Sequence, residues 1–178
     1  MVELKISTKE VIEHFKMTIL PIEGTYFSKT YESSSIHATG GPDGTAILGL
    51  YSDEPRSCSL FHKLTSDEVW HFYSGDPIRL ILLYPNKETK IVILGSDFKN
   101  GELIQFVVPK GVWQAGEIVP GGDWGLFGCT MAPGFSANSF EGGHFKDLVK
   151  DYPNLKDYLE RLSVPEETSK SLPNDYKD

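Results

Sequence analysis

From Thr25 to Met131 short runs of β-branched and aromatic residues alternate with clusters of Gly, Pro, Asn and Asp. The runs predict strands over Thr25–Tyr31, Thr45–Tyr51, Ser57–Leu64, Glu68–Tyr73, Ile78–Tyr84, Lys90–Leu94, Leu103–Val108, Val112–Ile118 and Gly125–Met131. The breaks carry turn chemistry, as in Gly40-Gly41-Pro42-Asp43-Gly44, Ser74-Gly75-Asp76-Pro77 and Pro120-Gly121-Gly122-Asp123. Many short strands with no helical pattern between them indicate a sandwich, jelly roll or barrel, not a parallel α/β sheet.

Helical periodicity appears only at the ends. Ser7 and Glu10 have capping-box spacing ahead of Val11, Ile12 and Phe15. Near the other end Phe145, Leu148, Val149 and Tyr152 repeat at helical period, and Pro153 opens a second stripe of Leu155, Tyr158, Leu159 and Leu162. Both stripes are expected to pack on the barrel. Residues 1–164 read as a single domain, and 165–178, which are polar and charged, as a disordered tail.

Composition narrows the function classes. A net charge of −8 and a pI near 5.1, with no basic stripe, disfavour nucleic-acid binding. No apolar stretch reaches transmembrane length and the first residues lack a secretory apolar core, so no membrane association is expected and a cytoplasmic location is. Cys58 and Cys129 form no disulfide framework or zinc spacing and read as buried thiols.

The chemistry concentrates in two segments. In the first, His62, Glu68 and Gly75 stand at fixed spacing; in the second, Pro109 and Gly111 precede Gln114. These resemble the two motifs of the cupin superfamily, in which two His one residue apart precede a Glu and a Gly, and Pro-x-Gly-x-x-His follows. Leu64 stands where the second His belongs, and Gln114 where the last one does. The strings SDEVWHFYSG, VVPKGVWQAG and CTMAPGF narrow the resemblance to a cupin branch called domain of unknown function 985, from about Val11 to Phe140. The resemblance implies an all-β double-stranded β-helix, the cupin jelly-roll barrel, with a short N-terminal helix and C-terminal helices. It also implies a homodimer.

Alternate strand residues share a face, so Glu68, Trp70 and Phe72 should point together into the barrel. His62 and Gln114 should join them around a small-molecule pocket. A full cupin ligand set supplies three imidazoles and a carboxylate. Losing two imidazoles leaves a poor donor set, so no metal and no cofactor is expected. His62 then stands as a general base in an epimerase or isomerase of a sugar or sugar-nucleotide, since metal-free cupin epimerases pair a His with a Tyr. Alternatively His62 is a core residue paired with Glu68, and the protein holds a nucleotide or sugar without turnover; a further alternative is a weak metal-dependent cupin enzyme. Glu68 is grouped with His62 as a catalytic candidate; Trp70, Phe72, Gln114 and Tyr31 are expected to contact ligand. The pocket offers no evident arginine clamp for phosphate, since the chain has only Arg56, Arg79 and Arg161.

Overall fold

The computed structural model describes residues 6–38, 40–173 and 176. The first element is helix α1 (Thr8–His14), started by the expected capping box: the Ser7 hydroxyl accepts from the Glu10 amide, and the Glu10 carboxylate accepts from the Ser7 amide. Eleven strands follow among the described residues: β1 (Thr18–Ile19), β2 (Tyr26–Glu32), β3 (Thr45–Ser52), β4 (Ser59–Leu64), β5 (Glu68–Gly75), β6 (Ile78–Leu83), β7 (Thr89–Leu94), β8 (Gln105–Val108), β9 (Trp113–Ile118), β10 (Trp124–Met131) and β11 (Phe140–Gly142). Helices α2 (Phe145–Asp151) and α3 (Lys156–Leu162) close the chain. The nine expected strands are all present within two residues at either end. The extra pair, β1 and β11, is too short to leave a periodic signal.

The strands form two antiparallel sheets, in the orders β1-β2-β3-β10-β5-β8 and β11-β4-β9-β6-β7. Their facing sides enclose a core of Tyr51, Trp70, Ile78, Leu80, Leu82, Val92, Leu94, Val108, Val112 and Phe127. This is the all-β jelly roll that the motifs imply, and no helix among the described residues is long and apolar enough to cross a membrane. Strand β6 is apolar on both faces for a physical reason. Leu80 and Leu82 point into the barrel, whereas Ile81 and Leu83 lie beneath α2 and α3, packed with Leu148, Tyr152, Leu159 and Leu162. The two C-terminal stripes are therefore packing surfaces.

Two turns place the motifs. Gly75 (φ +93°) leads from β5 towards β6, and Gly111 (φ +78°) leads from β8 towards β9; both lie in the left-handed region that glycine enters without strain. Gly75 has a second constraint, because a Cβ there would meet the carbonyl and ring of Trp124.

The polar tail departs from its composition. Residues 165–173 run back across the mouth of the barrel, while 174, 175, 177 and 178 of the tail expected to be disordered lie outside the described residues. The Gly142 amide donates to the Lys170 carbonyl at 2.7 Å, the His144 Nε2–H donates to the Thr168 carbonyl at 2.9 Å, and Leu172 is buried against Leu64, Met131 and Phe140. One leucine and a few backbone bonds anchor a segment whose average hydropathy argues for disorder.

Candidate functional site

A cavity opens at one end of the barrel, lined by strand residues Phe27, Thr45, Ile47, His62, Leu64, Glu68, Cys129 and Met131. Loop residues Leu20, Pro21, Glu23 and Phe135, together with Phe140 and Leu172, complete its wall. Its interior volume is about 50 Å³. A water needs roughly 10–15 Å³ on this measure, so the space holds a few waters or a small group. The lining contains two carboxylates and one imidazole, and no Lys or Arg.

Pairing of β4 with β9 sets His62 opposite Gln114, and β5 brings Glu68 to the same level. Gln114 lies between the other two. Its Nε2–H₂ group donates to Glu68 Oε2 at 2.6 Å and faces His62 Nε2 at 3.2 Å. Its Oε1 accepts from the Trp70 indole N–H at 3.1 Å, and that N–H is also 3.0 Å from Glu68 Oε2. An indole nitrogen can only donate, so Trp70 fixes which end of the amide is oxygen. With the NH₂ end facing His62, the imidazole must present a lone pair at Nε2. Its proton then sits on Nδ1, which donates to the Leu60 carbonyl at 2.8 Å. A chain of donors from Trp70 through Gln114 thus defines His62 as the neutral Nδ1–H tautomer.

Glu68 is buried, and that burial pushes its carboxyl above the ordinary range; Glu23 adds to the rise, while the hydrogen bond from the Gln114 amide opposes it. Burial likewise pushes the Cys129 thiol up strongly, with the Glu68 charge adding to it. The expected direct pair between His62 and Glu68 is replaced by this bridge through Gln114. The reason is reach: both side chains satisfy the amide placed between them.

Glu23 is the site residue that sequence reasoning missed. It sits in the turn between β1 and β2, after Ile22, a β-branched residue held at φ +67°. Its Oε1 accepts from the Thr25 and Ser59 hydroxyls, both at 2.6 Å, and the Tyr51 hydroxyl donates to Ser59 at 2.5 Å. That leaves Oε2 on the cavity side, 3.8 Å from His62 Nε2. A lone Glu in a turn has no periodicity or motif to mark it; only the fold brings it to His62.

The remaining candidates divide. Trp70 is buried behind Glu68 and orients it instead of facing the cavity. Phe72 points inward as predicted, but it lies four residues along β5 from Glu68, about 13 Å away, and packs in the barrel core. Tyr31, expected to contact ligand, is exposed and is not part of the cavity lining. A bulge between Lys29 and Tyr31 pairs Tyr31 with Ala46, on the face opposite to Ile47, so it turns outward. Leu64, at the lost His position, joins Met131, Phe140 and Leu172 in an apolar wall. Phe140 stacks on the His62 ring, with centroids 5.4 Å apart. His71 points away from the cavity and bonds Thr130 and Gln105.

Comparison with known proteins agrees with this geometry. An uncharacterised protein of Saccharomyces cerevisiae is 33% identical over an alignment covering 64% of each chain, so this chain spans under two thirds of that relative's length. A solved protein of Shewanella oneidensis superposes with a TM-score of 0.82 at 29% identity, covering 91% of this chain and all of that one. A solved protein of Leishmania major gives 0.80 at 25% identity, covering 90% and 100%. An oxalate decarboxylase, 13% identical with a TM-score of 0.52 over 90% of this chain and 40% of its own, shares the fold alone. Residues 9–149 match the family described as the cupin superfamily (DUF985), and the chain belongs to that family.

Proposed function

We propose that the barrel mouth binds a small, uncharged hydroxylated molecule, a sugar or a fragment of one, and that His62 with Glu23 accepts a proton from it. The observation that carries this reading is the fixed lone pair of His62 Nε2, set 3.8 Å from Glu23 Oε2 in an apolar cavity. Both atoms are acceptors, and hydroxyl donors complement them. Of the ligand classes open at the outset, nucleotides and nucleotide-sugars fit poorly. Two carboxylates and no cation line the wall, so a phosphate would meet like charge, and the interior is small.

If turnover occurs, His62 is the base of an epimerase or isomerase, and Glu68, held towards its protonated form by burial, supplies the acid. Holding without turnover is favoured by one observation: the Gln114 N–H lies 3.2 Å from the lone pair a base would use. A homodimer completes the reading, supported by the edge position of β8 and the exposed Ile104 and Val107 beside it.

A thermal-shift series tests this with monosaccharides, nucleotides, nucleotide-sugars and keto acids. A ligand at a hundred times its Kd adds about 2.7 kcal/mol, which is roughly 5–10 °C for a chain of this size. Stabilisation by monosaccharides alone is the expected result; stabilisation by nucleotides alone rejects the charge argument. Loss of any turnover in His62→Asn supports the base assignment, and unchanged turnover removes it.

A further inference from the structure

The chain contains three arginines, Arg56, Arg79 and Arg161, separated widely in sequence and carried by the β3–β4 loop, β6 and α3. All three line one cleft of about 210 Å³, with Ser52, Asp53, Glu117 and the Gly121-Gly122 turn. The cleft lies at the end of the barrel away from the cavity. Thr45 of β3 lines the cavity and Ser52 the cleft, seven residues or about 23 Å along the same strand.

Part of this cluster is structural. Glu117 accepts from Arg79 Nε and Nη2 at Oε1 (3.0 and 2.7 Å), and from Arg161 at Oε2 and Oε1 (2.9 and 3.1 Å), which ties α3 to the sheet. Three of these four hydrogen bonds fall on Oε1 and one on Oε2. They leave Nη1 of Arg79 and Nε of Arg161 outside the Glu117 clamp. Arg56 takes no part in it. Its guanidinium is exposed on the rim, beside the Cys58 thiol, which carries no neutralising charge while protonated. Among the residues that line the cleft, three guanidinium groups stand with two carboxylates, Glu117 and Asp53. Fastening α3 accounts for Arg79 and Arg161 but not for Arg56.

We propose that this cleft is an oxyanion site, taking phosphate or a phosphate monoester between Arg56 and the nitrogens of Arg79 and Arg161 that Glu117 does not engage. Guanidinium forks match the paired oxygens of such groups, and preclamped side chains lose little freedom on binding. The site is separate from the barrel mouth, whose lining repels anions. It therefore stands whether or not the proposed function does.

The test is calorimetric titration of the whole chain with inorganic phosphate and with glycerol phosphate, against sodium chloride of equal ionic strength. Saturable binding that weakens at least about tenfold in Arg56→Gln is expected, since a charge-assisted bond is lost. Arg56→Lys should recover part of it, and His62→Asn should bind as the parent does. Tighter binding of glycerol phosphate identifies an esterified ligand, and equal binding a free oxyanion; both support the site. No saturable binding of either probe, or equal binding by the parent and a folded Arg56→Gln, overturns it. Weakening in His62→Asn instead would place the anion in the barrel mouth and overturn it too. Arg56 is exposed and outside the Glu117 clamp, so the variant should fold; matching circular dichroism and Tm verify that.

Discussion

Replacing Gln114 by Leu probes the polar bridge directly, because the side chains are close in volume and only the amide is removed. The amide donates to Glu68 at 2.6 Å, faces the His62 lone pair at 3.2 Å and accepts from Trp70 at 3.1 Å. Loss of a hydrogen bond to a buried carboxylate costs about 1.5–3 kcal/mol, and an imidazole nitrogen left without its donor about 1 kcal/mol more. Trp70 keeps its other acceptor, Glu68 Oε2, and therefore contributes little to the loss. Burying leucine carbons in place of an amide returns about 1 kcal/mol. The net expectation is destabilisation by about 1.5–3 kcal/mol, or roughly 3–12 °C in Tm for a chain of this length. Denaturant unfolding at pH 7 measures it, with a double-mutant cycle against Trp70→Phe to isolate the coupling. Nitrogen-15 shifts of His62 supply the second readout: the parent should show the Nδ1–H tautomer. A loss below about 1 kcal/mol, or an Nε2–H tautomer in the parent, refutes the donor chain.

Three further outcomes follow from the same contacts. The Glu68 carboxyl is raised in the fold, so the native state holds a proton that the unfolded chain releases near 4.5, and its contribution to stability declines as pH rises through that window. The stability of Glu68→Gln relative to the parent should accordingly increase from pH 4 to pH 8; a flat difference means that Glu68 is not desolvated. A Cβ at Gly116 would run into the Tyr51 hydroxyl, which holds Ser59 and through it Glu23. Gly116→Ala should thus lower Tm and weaken any barrel-mouth ligand together, and calorimetry showing neither change would reject the role of that chain. Leu172→Ala removes a buried side chain from the cavity wall and should cost about 2 kcal/mol or more. Urea titration reading no loss would show that the tail is not docked.

Much of this molecule is determined locally and can be read from the chain. Runs of β-branched and aromatic residues bounded by turn residues placed nine strands, and the capping residues placed α1, because strand, turn and cap preferences are set by the residues themselves and their immediate neighbours. Motif spacing likewise brought His62, Glu68 and Gln114 together, since each lies on a strand whose register carries it to the same level. Three features depended on contacts between distant segments. The bulge before Tyr31 reversed a face that simple alternation assigns inward. Glu23, in a turn without periodicity, became a site residue through the hydroxyls of Ser59 on β4 and of Thr25 just before β2. Arg56, Arg79 and Arg161, unrelated by any spacing, met only when the loop, the sheet and α3 closed on one another. Alternation and caps are set by neighbours along the backbone, whereas convergence in space is decided when the two sheets and the tail pack.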